Sequence, residues 1–275
     1  MRTPQNESLV SVIMGVRYRL GNLEPLERAI QSILDQTYRH LELLICEYDS
    51  TESAKAWLTK LVQQDDRVCL FQGREPGLLS QNLNDCLTVA KGAYIARMDD
   101  DDFSCPERLA RLVTYLEAHP KIAFVGCNAD LYRSGVQVGR RTFPEYPSTQ
   151  DFYMTQPFLH PALVFRREAL DAVKWYSEDK HCVLCEDYDL LLRLYAKGFQ
   201  GANLQEILME YTLPATAKGN RTMGHRWNES VTRYRRFRDL KALPGALPWV
   251  VKPLIVGIMP ENLLGKLKKQ YGTGG

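Results

Sequence analysis

Four consecutive carboxylates, Asp99, Asp100, Asp101 and Asp102, follow directly on an apolar, strand-like run at 93–98. Like charges crowded in such a place raise each other's pKa and repel unless a cation neutralises them, and hard oxygen donors suit Mg2+ or Mn2+. The plainer alternative is a solvated acidic loop leading into a helix, which Ser104 and Glu107 would open as a capping box with Pro106 in its first turn. A second acidic pair, Glu186 and Asp187, stands where an amphipathic helix begins. The helix dipole favours acids there without any catalytic role, yet an ionised carboxylate within reach of a hydroxyl is also a competent general base. His181-Cys182-x-x-Cys185 invites a zinc reading, but a closed structural site needs four ligands and no second Cys or His pair follows at suitable spacing.

These groups need a scaffold, and the first half of the chain is regular enough to supply one. Val10-Ser-Val-Ile-Met14 and Leu41-Glu-Leu-Leu-Ile-Cys46 read as buried strands, with Leu26, Ile30, Ile33 and Leu34 at helical spacing between them. Arg67-Val-Cys-Leu-Phe71 and Ala93-Tyr-Ile-Ala96 continue the series around a helix spanning about 78–90. The alternation predicts an α/β fold, with a mostly parallel central sheet covered by helices on both faces. Binding groups then belong on the loops at the carboxyl ends of the strands, just after Met14, Cys46 and Met98. Beyond Cys127 the pattern loosens: Ser134-Gly135 reads as a hairpin turn, and Pro144, Pro147, Pro157 and Pro161 mark loops. A helix returns at 186–196, with Gly198 as its stop.

With 275 residues, 45% hydrophobic and 25% charged, the chain has ordinary globular usage, which excludes disordered, fibrous and disulfide-scaffold classes. No apolar run approaches the roughly 18 residues of a membrane span, and the first residues read as neither signal nor transit peptide. Seven cysteines, mostly inside apolar stretches, read as buried thiols of a cytosolic protein. The net charge of +2 conceals an asymmetry: residues 217–275 hold twelve Lys and Arg against Glu229, Asp239 and Glu261, a net of +9, so the remainder is −7. We therefore expect a catalytic domain over 1–216 and a basic, partly apolar amphipathic extension over 217–275.

The motifs resemble those of the family-two glycosyltransferases of the GT-A fold, bacterial enzymes that often build surface polysaccharides. The resemblance covers roughly residues 8–213. Ser8-Leu-Val-Ser-Val-Ile-Met14 is similar to the family's opening strand, and Ala29-Ile-Gln-Ser-Ile-Leu-Asp-Gln-Thr-Tyr38 to its first helix with the Gln-Thr-Tyr ending. Gly92-Ala-Tyr-Ile-Ala-Arg-Met-Asp-Asp-Asp-Asp102 matches its Gly-x-Tyr-Ile-x-x-x-Asp-x-Asp-Asp stretch, and Cys185-Glu-Asp-Tyr-Asp-Leu-Leu-Leu-Arg-Leu194 its Glu-Asp motif. The resemblance implies sugar transfer with inversion, from a nucleotide-diphosphate sugar, here taken as UDP-linked, to a hydroxyl of a saccharide or lipid-linked saccharide. It implies that Asp101 and Asp99 hold Mn2+ or Mg2+, that Asp99 also faces the ribose, and that Asp100 lies on the donor side. Asp102 is structural, Asp187 is the base, and Glu186 orients it or contacts the acceptor. Some members use a downstream histidine as an extra ligand, and His225 is the match. On the donor side the chain departs from the family's usual Pro-Val-Tyr-Asn and Asp-Asp-Gly-Ser-Thr-Asp, carrying Gly15-Val16-Arg17-Tyr18 and Glu47-Tyr48-Asp49-Ser50-Thr51-Glu52 instead. Gly15, Val16, Arg17, Glu47, Asp49 and Asn84 are the donor-binding candidates. Glu47 is expected to accept from the base's imide and Tyr48 to stack on it.

Nucleotidyl transfer, the nearest rival, usually carries a Gly-rich phosphate loop after the first strand, and only Gly15 and Gly21 stand there. A nucleic-acid-binding tail is a second rival, with Tyr234 and Phe237 among Arg233, Arg235, Arg236 and Arg238, but the body shows no nucleic-acid module. The segment at 246–259 is too short and too interrupted by prolines to span a bilayer. With Trp249, the basic stretch at 233–241 and Lys266, Lys268 and Lys269, it suits an anionic membrane surface, so a peripheral position on the inner face of the cell membrane is expected.

Overall fold

A computed structural model describes residues 7–213 and 222–259. The first half alternates as expected: β1 (Val10–Val16), α1 (Glu24–Leu34), β2 (Leu41–Glu47), α2 (Glu52–Gln64), β3 (Val68–Gln72), α3 (Leu79–Val89) and β4 (Tyr94–Arg97). There follow β5 (Phe103–Ser104), α4 (Arg108–Ala118), the hairpin of β6 (Ile122–Arg133) and β7 (Val136–Arg141), α5 (Asp151–Met154), β8 (Val164–Arg166) and α6 (Arg167–Ala172). The chain continues with α7 (Glu186–Ala196), β9 (Gln200–Thr212), α8 (Met223–Asp239) and α9 (Leu247–Ile258).

The nine strands make one sheet in the order β3-β2-β1-β4-β8-β6-β9-β5, with β7 on the side of β6. β3, β2, β1 and β4 are parallel, and so are the long β6 and β9. Short β8 bridges β4 and β6 antiparallel to both, and β5 and β7 are antiparallel additions. The loosened pattern beyond Cys127 thus corresponds to the mixed half. At its hairpin Ser134 and Gly135 both take positive φ, 52° and 77°, which glycine adopts without a Cβ clash.

Each face of the sheet carries its own apolar core. One gathers Val12, Met14, Leu26, Ile30, Leu58 and Leu112 beneath α1, α2 and α4. The other gathers Ile13, Leu83, Phe124, Phe165, Leu191 and Phe237 beneath α3, α6, α7 and α8. Five of the seven cysteines are buried thiols as expected, but Cys69 is exposed and Cys105 half-buried, because β3 is an outer strand and Cys105 lies at a turn.

The capping box at Ser104 and Glu107 does not form. α4 begins one residue after Glu107, which takes helical dihedrals and makes no side-chain cap. Ser104 is instead drawn inward by Gln36 and Arg108: its hydroxyl lies 3.0 Å from Gln36 Nε2 and accepts from Arg108 Nε at 2.7 Å. Gln36 is fully buried, and its Oε1 accepts the Leu109 N–H at 3.0 Å. The Gln36-Thr37-Tyr38 stretch just after α1 therefore clamps the exit of the tetra-aspartate segment, with the Thr37 N–H donating to the Pro106 carbonyl at 2.8 Å.

The described arginines of the C-terminal segment are paired with acids, two of them of the body. Arg236 and Arg193 meet the fully buried Asp189 at 2.9 Å and 2.6 Å, and Arg235 meets Asp179 at 3.0 Å. Arg233, 3% exposed, pairs with Glu229 at 3.1 Å and donates from Nη1 to the Tyr153 carbonyl at 2.9 Å. The Arg236–Asp189 pair docks α8 on α7, and Phe237, Ala246 and Trp249 complete the packing from α8 to α9. The charge complementarity offered to a nucleic acid is correspondingly reduced. Asp189→Ala removes the buried acid that Arg193 and Arg236 share and is expected to lower stability by about 3–5 kcal/mol. Urea unfolding, with a double-mutant cycle against Arg236→Met, measures it; additive effects would show that the pair does not couple α7 to α8.

Candidate active site

The register β1 to β2 pairs Gly15 with Cys46 and Val16 with Glu47, and β1 to β4 pairs Ile13 with Arg97, so three parallel strands end side by side. The acidic segment leaves the last of them. Two fully buried arginines fix it there. Arg97 pairs with Asp99, while Arg108 donates to the Pro161 carbonyl at 2.9 Å and to the Arg97 carbonyl at 3.3 Å. Arg97 Nε and Nη1 find no hydrogen-bond partner, so the guanidinium acts on its surroundings mainly as a desolvated charge.

The carboxyls of Asp100 and Asp101 are pushed up to about 6 and about 7, first by removal from water and then by their acidic neighbours. Asp101 still reaches solvent on its outer side. Asp102 is buried and raised too, by burial and then by Asp99 and Asp101; its Oδ1 accepts the Thr212 N–H at 2.7 Å and its Oδ2 has no partner. It pins β9 to the acidic segment, the structural place expected of it. A donor set made of crowded carboxylate oxygens, with a repulsion that a cation relieves, fits Mg2+ or Mn2+. Among the described residues no three His, Cys, Asp or Glu side chains close a ligand shell. His225 does not join the acids: its Nδ1 accepts the Thr222 N–H at 3.1 Å and closes the first turn of α8.

The donor-side candidates divide. Arg17 and Asp49 lie together at the open strand ends, paired at 2.8 Å, with Arg19 on the same Asp49 oxygen and Arg17 5.9 Å from the Tyr48 ring. Glu47 is 3% exposed and accepts the Ser50 N–H at 2.8 Å, so its carboxylate closes a turn rather than facing a base. Val16 is buried in the core, and a Cβ at Gly15 would lie 2.8 Å from Leu79, so both positions seat α3 and the core beneath the loop. Asn84 is held by structure as well: its amide donates to the Tyr176 carbonyl and to Glu178, both at 3.0 Å, and accepts the Tyr176 N–H at 3.1 Å.

Asp99, Glu186 and Asp187 line one cleft of about 390 Å3. Its remaining polar walls were not legible as site residues: Gln156, Arg141, Tyr211, Glu229, Arg233 and Lys252. Asp187 accepts from Gln156 Nε2 at 3.0 Å and from the Tyr188 N–H at 2.7 Å, which orients its carboxylate at the start of α7. His160 lies at the cleft floor with Nε2 2.8 Å from the Tyr176 hydroxyl; burial and the neighbouring Arg97 hold it far below its usual pKa, hence neutral. Burial, then Arg233, draws the Lys252 ammonium down to about 8. A hollow of about 500 Å3 beside Tyr38 and α4 has no comparable convergence of polar groups.

Residues 11–173 match the glycosyl transferase family 2 description. The chain is 33% identical over 263 residues to EpsE of Bacillus subtilis (strain 168), named as a glycosyltransferase, covering 95% of this chain and 93% of that one. It is 27% identical over 276 residues to the amylovoran biosynthesis glycosyltransferase AmsE of Erwinia amylovora, covering 97% and 100%. Among solved structures, the mannosyltransferase PcManGT of Pyrobaculum calidifontis with GDP-Man and Mn2+ superposes with a TM-score of 0.65 at 17% identity, covering 98% of this chain and 81% of that one. Residues 1–349 of TarS of S. aureus with UDP-GlcNAc give 0.67 at 15%, covering 88% and 72%. The architecture is the GT-A fold. By its sequence match and its two curated relatives, the chain belongs to glycosyl transferase family 2.

Proposed function

We propose that this glycosyltransferase moves a sugar with inversion from a UDP-linked donor to a hydroxyl of a saccharide or lipid-linked saccharide in surface-polysaccharide synthesis. The observation that carries this reading is a single cleft in which Asp99, continuous with the acidic segment, and the hydrogen-bonded Asp187 line the walls. The nucleotide sugars held by the two solved neighbours support a donor of that class, and Mn2+ in one of them supports a divalent ion.

The donor's nucleotide fits the ends of β1 and β2, with Tyr48 and Asp49 beside the base and Arg17 near phosphate. Asp99 and Asp101 would hold Mn2+ or Mg2+. Such an ion, when bound, supplies charge neutralisation to the departing diphosphate. Asp187 takes the acceptor hydroxyl's proton as that oxygen attacks the anomeric carbon, and Gln156 keeps the carboxylate aimed. Glu186, next to it in the cleft, contacts the acceptor. The lipid-linked form of the acceptor places the enzyme at the inner face of the cell membrane; no helix among the described residues is long and apolar enough to cross one.

Three measurements test this. Asp187→Asn is expected to slow transfer by roughly 10² to 10⁴-fold with little change in donor affinity; a collapse of donor binding with normal residual transfer would put Asp187 in the donor pocket. Asp101→Ala is expected to lower donor turnover by roughly 10²-fold or more and flatten its response to Mn2+, read over a panel of UDP- and GDP-sugars. Normal metal response would remove the acidic segment from the ion site.

The third is a stability measurement with chelator present. Folding raises the Asp101 carboxyl from its ordinary value to about 7, so its ionisation opposes folding; the penalty is absent below about pH 4 and full above about pH 7. Asp101→Asn is therefore expected to melt higher than the parent at pH 8 and at the same temperature near pH 4. A lower melting temperature at pH 8 would contradict the crowding.

A further inference from the structure

Among the described residues, exposed large apolar side chains gather on the outward side of the α8–α9 hairpin. Half of the large apolar side chains that the structure exposes lie on these two helices. On α9 they are Leu247, Val251, Ile255 and Ile258, spaced four, four and three residues apart and so aligned along one face. On α8 they are Met223, Trp227 and Tyr234, a second stripe that continues into the exposed Arg238 and Lys241. The helices meet where Gly257 faces Met223: a Cβ on that glycine would lie 2.5 Å from the Met223 sulfur, so the start of α8 adjoins the end of α9.

The inward side of the same hairpin is part of the catalytic cleft. Glu229 and Arg233 of α8 and Lys252 of α9 line it together with Asp187. Pro253 is buried and Trp249 stacks near Tyr153 at 6.5 Å, so α9 is anchored on one side only.

We propose that the α8–α9 hairpin docks on an anionic lipid bilayer, its apolar stripes entering the boundary between headgroups and acyl chains while its opposite side forms the acceptor wall of the cleft. Aliphatic side chains on one helix face, Trp227 and Tyr234 at the depth where aromatic rings favour the interface, and exposed cations beside them are the composition such a surface requires. Charge selects lipid over a second copy of the chain. α9 contains no acid, and the acids of α8, Glu229 and Asp239, are held in ion pairs with arginines. Lys266, Lys268 and Lys269 follow in the sequence. A second copy joined through this face brings no acid of α8 or α9 that is not already paired to meet the exposed Lys241, whereas an anionic surface does; each basic residue close to such a surface contributes about 1 kcal/mol. Docked in this way, the cleft opens beside the headgroups, where a lipid-linked acceptor presents its sugar. This last point rests on the glycosyl-transfer reading, while the docking itself does not.

The test is co-sedimentation of the full chain with vesicles of phosphatidylethanolamine and phosphatidylglycerol, at low and high salt, beside vesicles of phosphatidylcholine alone. The parent is expected to sediment with the anionic vesicles at low salt and less at high salt. Val251→Glu combined with Ile255→Glu exchanges two exposed apolar groups for charges and is expected to weaken partition by roughly tenfold or more. Its melting temperature and its hydrolysis of donor are expected to stay at the parent's values. If that variant does not fold, Ile258→Glu at the most exposed of these positions repeats the test. Undiminished sedimentation of a folded variant, or a parent that stays in the supernatant at low salt, overturns the proposal. So does a parent that is dimeric by analytical ultracentrifugation, becomes monomeric in the variant and ignores lipid. A parent that docks but turns over no nucleotide sugar leaves the surface standing and removes the enzymatic reading instead.

Discussion

The mutual repulsion of four carboxylates at the end of β4 is the constraint around which the rest is arranged. Left alone, such a segment would move into water, and most of its neighbours prevent that. Arg97 is held without solvent beside Asp99, and Arg108 grips the carbonyls on either side of the strand end. Gln36 closes the far end of the segment, and Thr212 binds its last carboxylate. Two buried guanidiniums and one buried amide are costly groups to desolvate, and each is kept because it makes several hydrogen bonds or faces an opposite charge. Burial, and then the acidic neighbours, still raise Asp100 and Asp101, and a cation beside them would relieve that charge.

Much of this was legible in the sequence because it is local. Strand runs, helix periodicity, the tetra-aspartate segment and the Glu-Asp pair each lie within a dozen residues, and the sheet rules order them without further information. The family likewise reads correctly from sequence, since the motifs that carry it are contiguous stretches. The capping box failed for the complementary reason: Ser104 has the right local spacing, but Gln36, 68 residues earlier, competes for its hydroxyl. Glu47 and Asn84 had suitable chemistry and were captured by backbone groups of neighbouring loops.

The walls of the cleft were hidden by the same long-range logic. Arg141 ends a hairpin strand, Tyr211 ends β9, and Lys252 sits in an apolar helix; nothing in their own surroundings along the chain marks them. The arginines at 233–236 look like a basic patch only until Asp179 and Asp189 arrive from the preceding elements. Charge runs read from sequence count cations, while a structure counts cations left over after pairing, and here the two differ widely.

The hydrogen bond from the Thr212 N–H to Asp102 joins two parts of the chain 110 residues apart. The open ends of β1 and β2 and the acidic segment fall inside the stretch that matches the family. Asp187 and the walls supplied by Tyr211, Arg233 and Lys252 come from beyond that stretch. That one bond fixes the end of β9, and with it the Tyr211 wall of the cleft, to the acidic segment, so a shift in either carries the other with it.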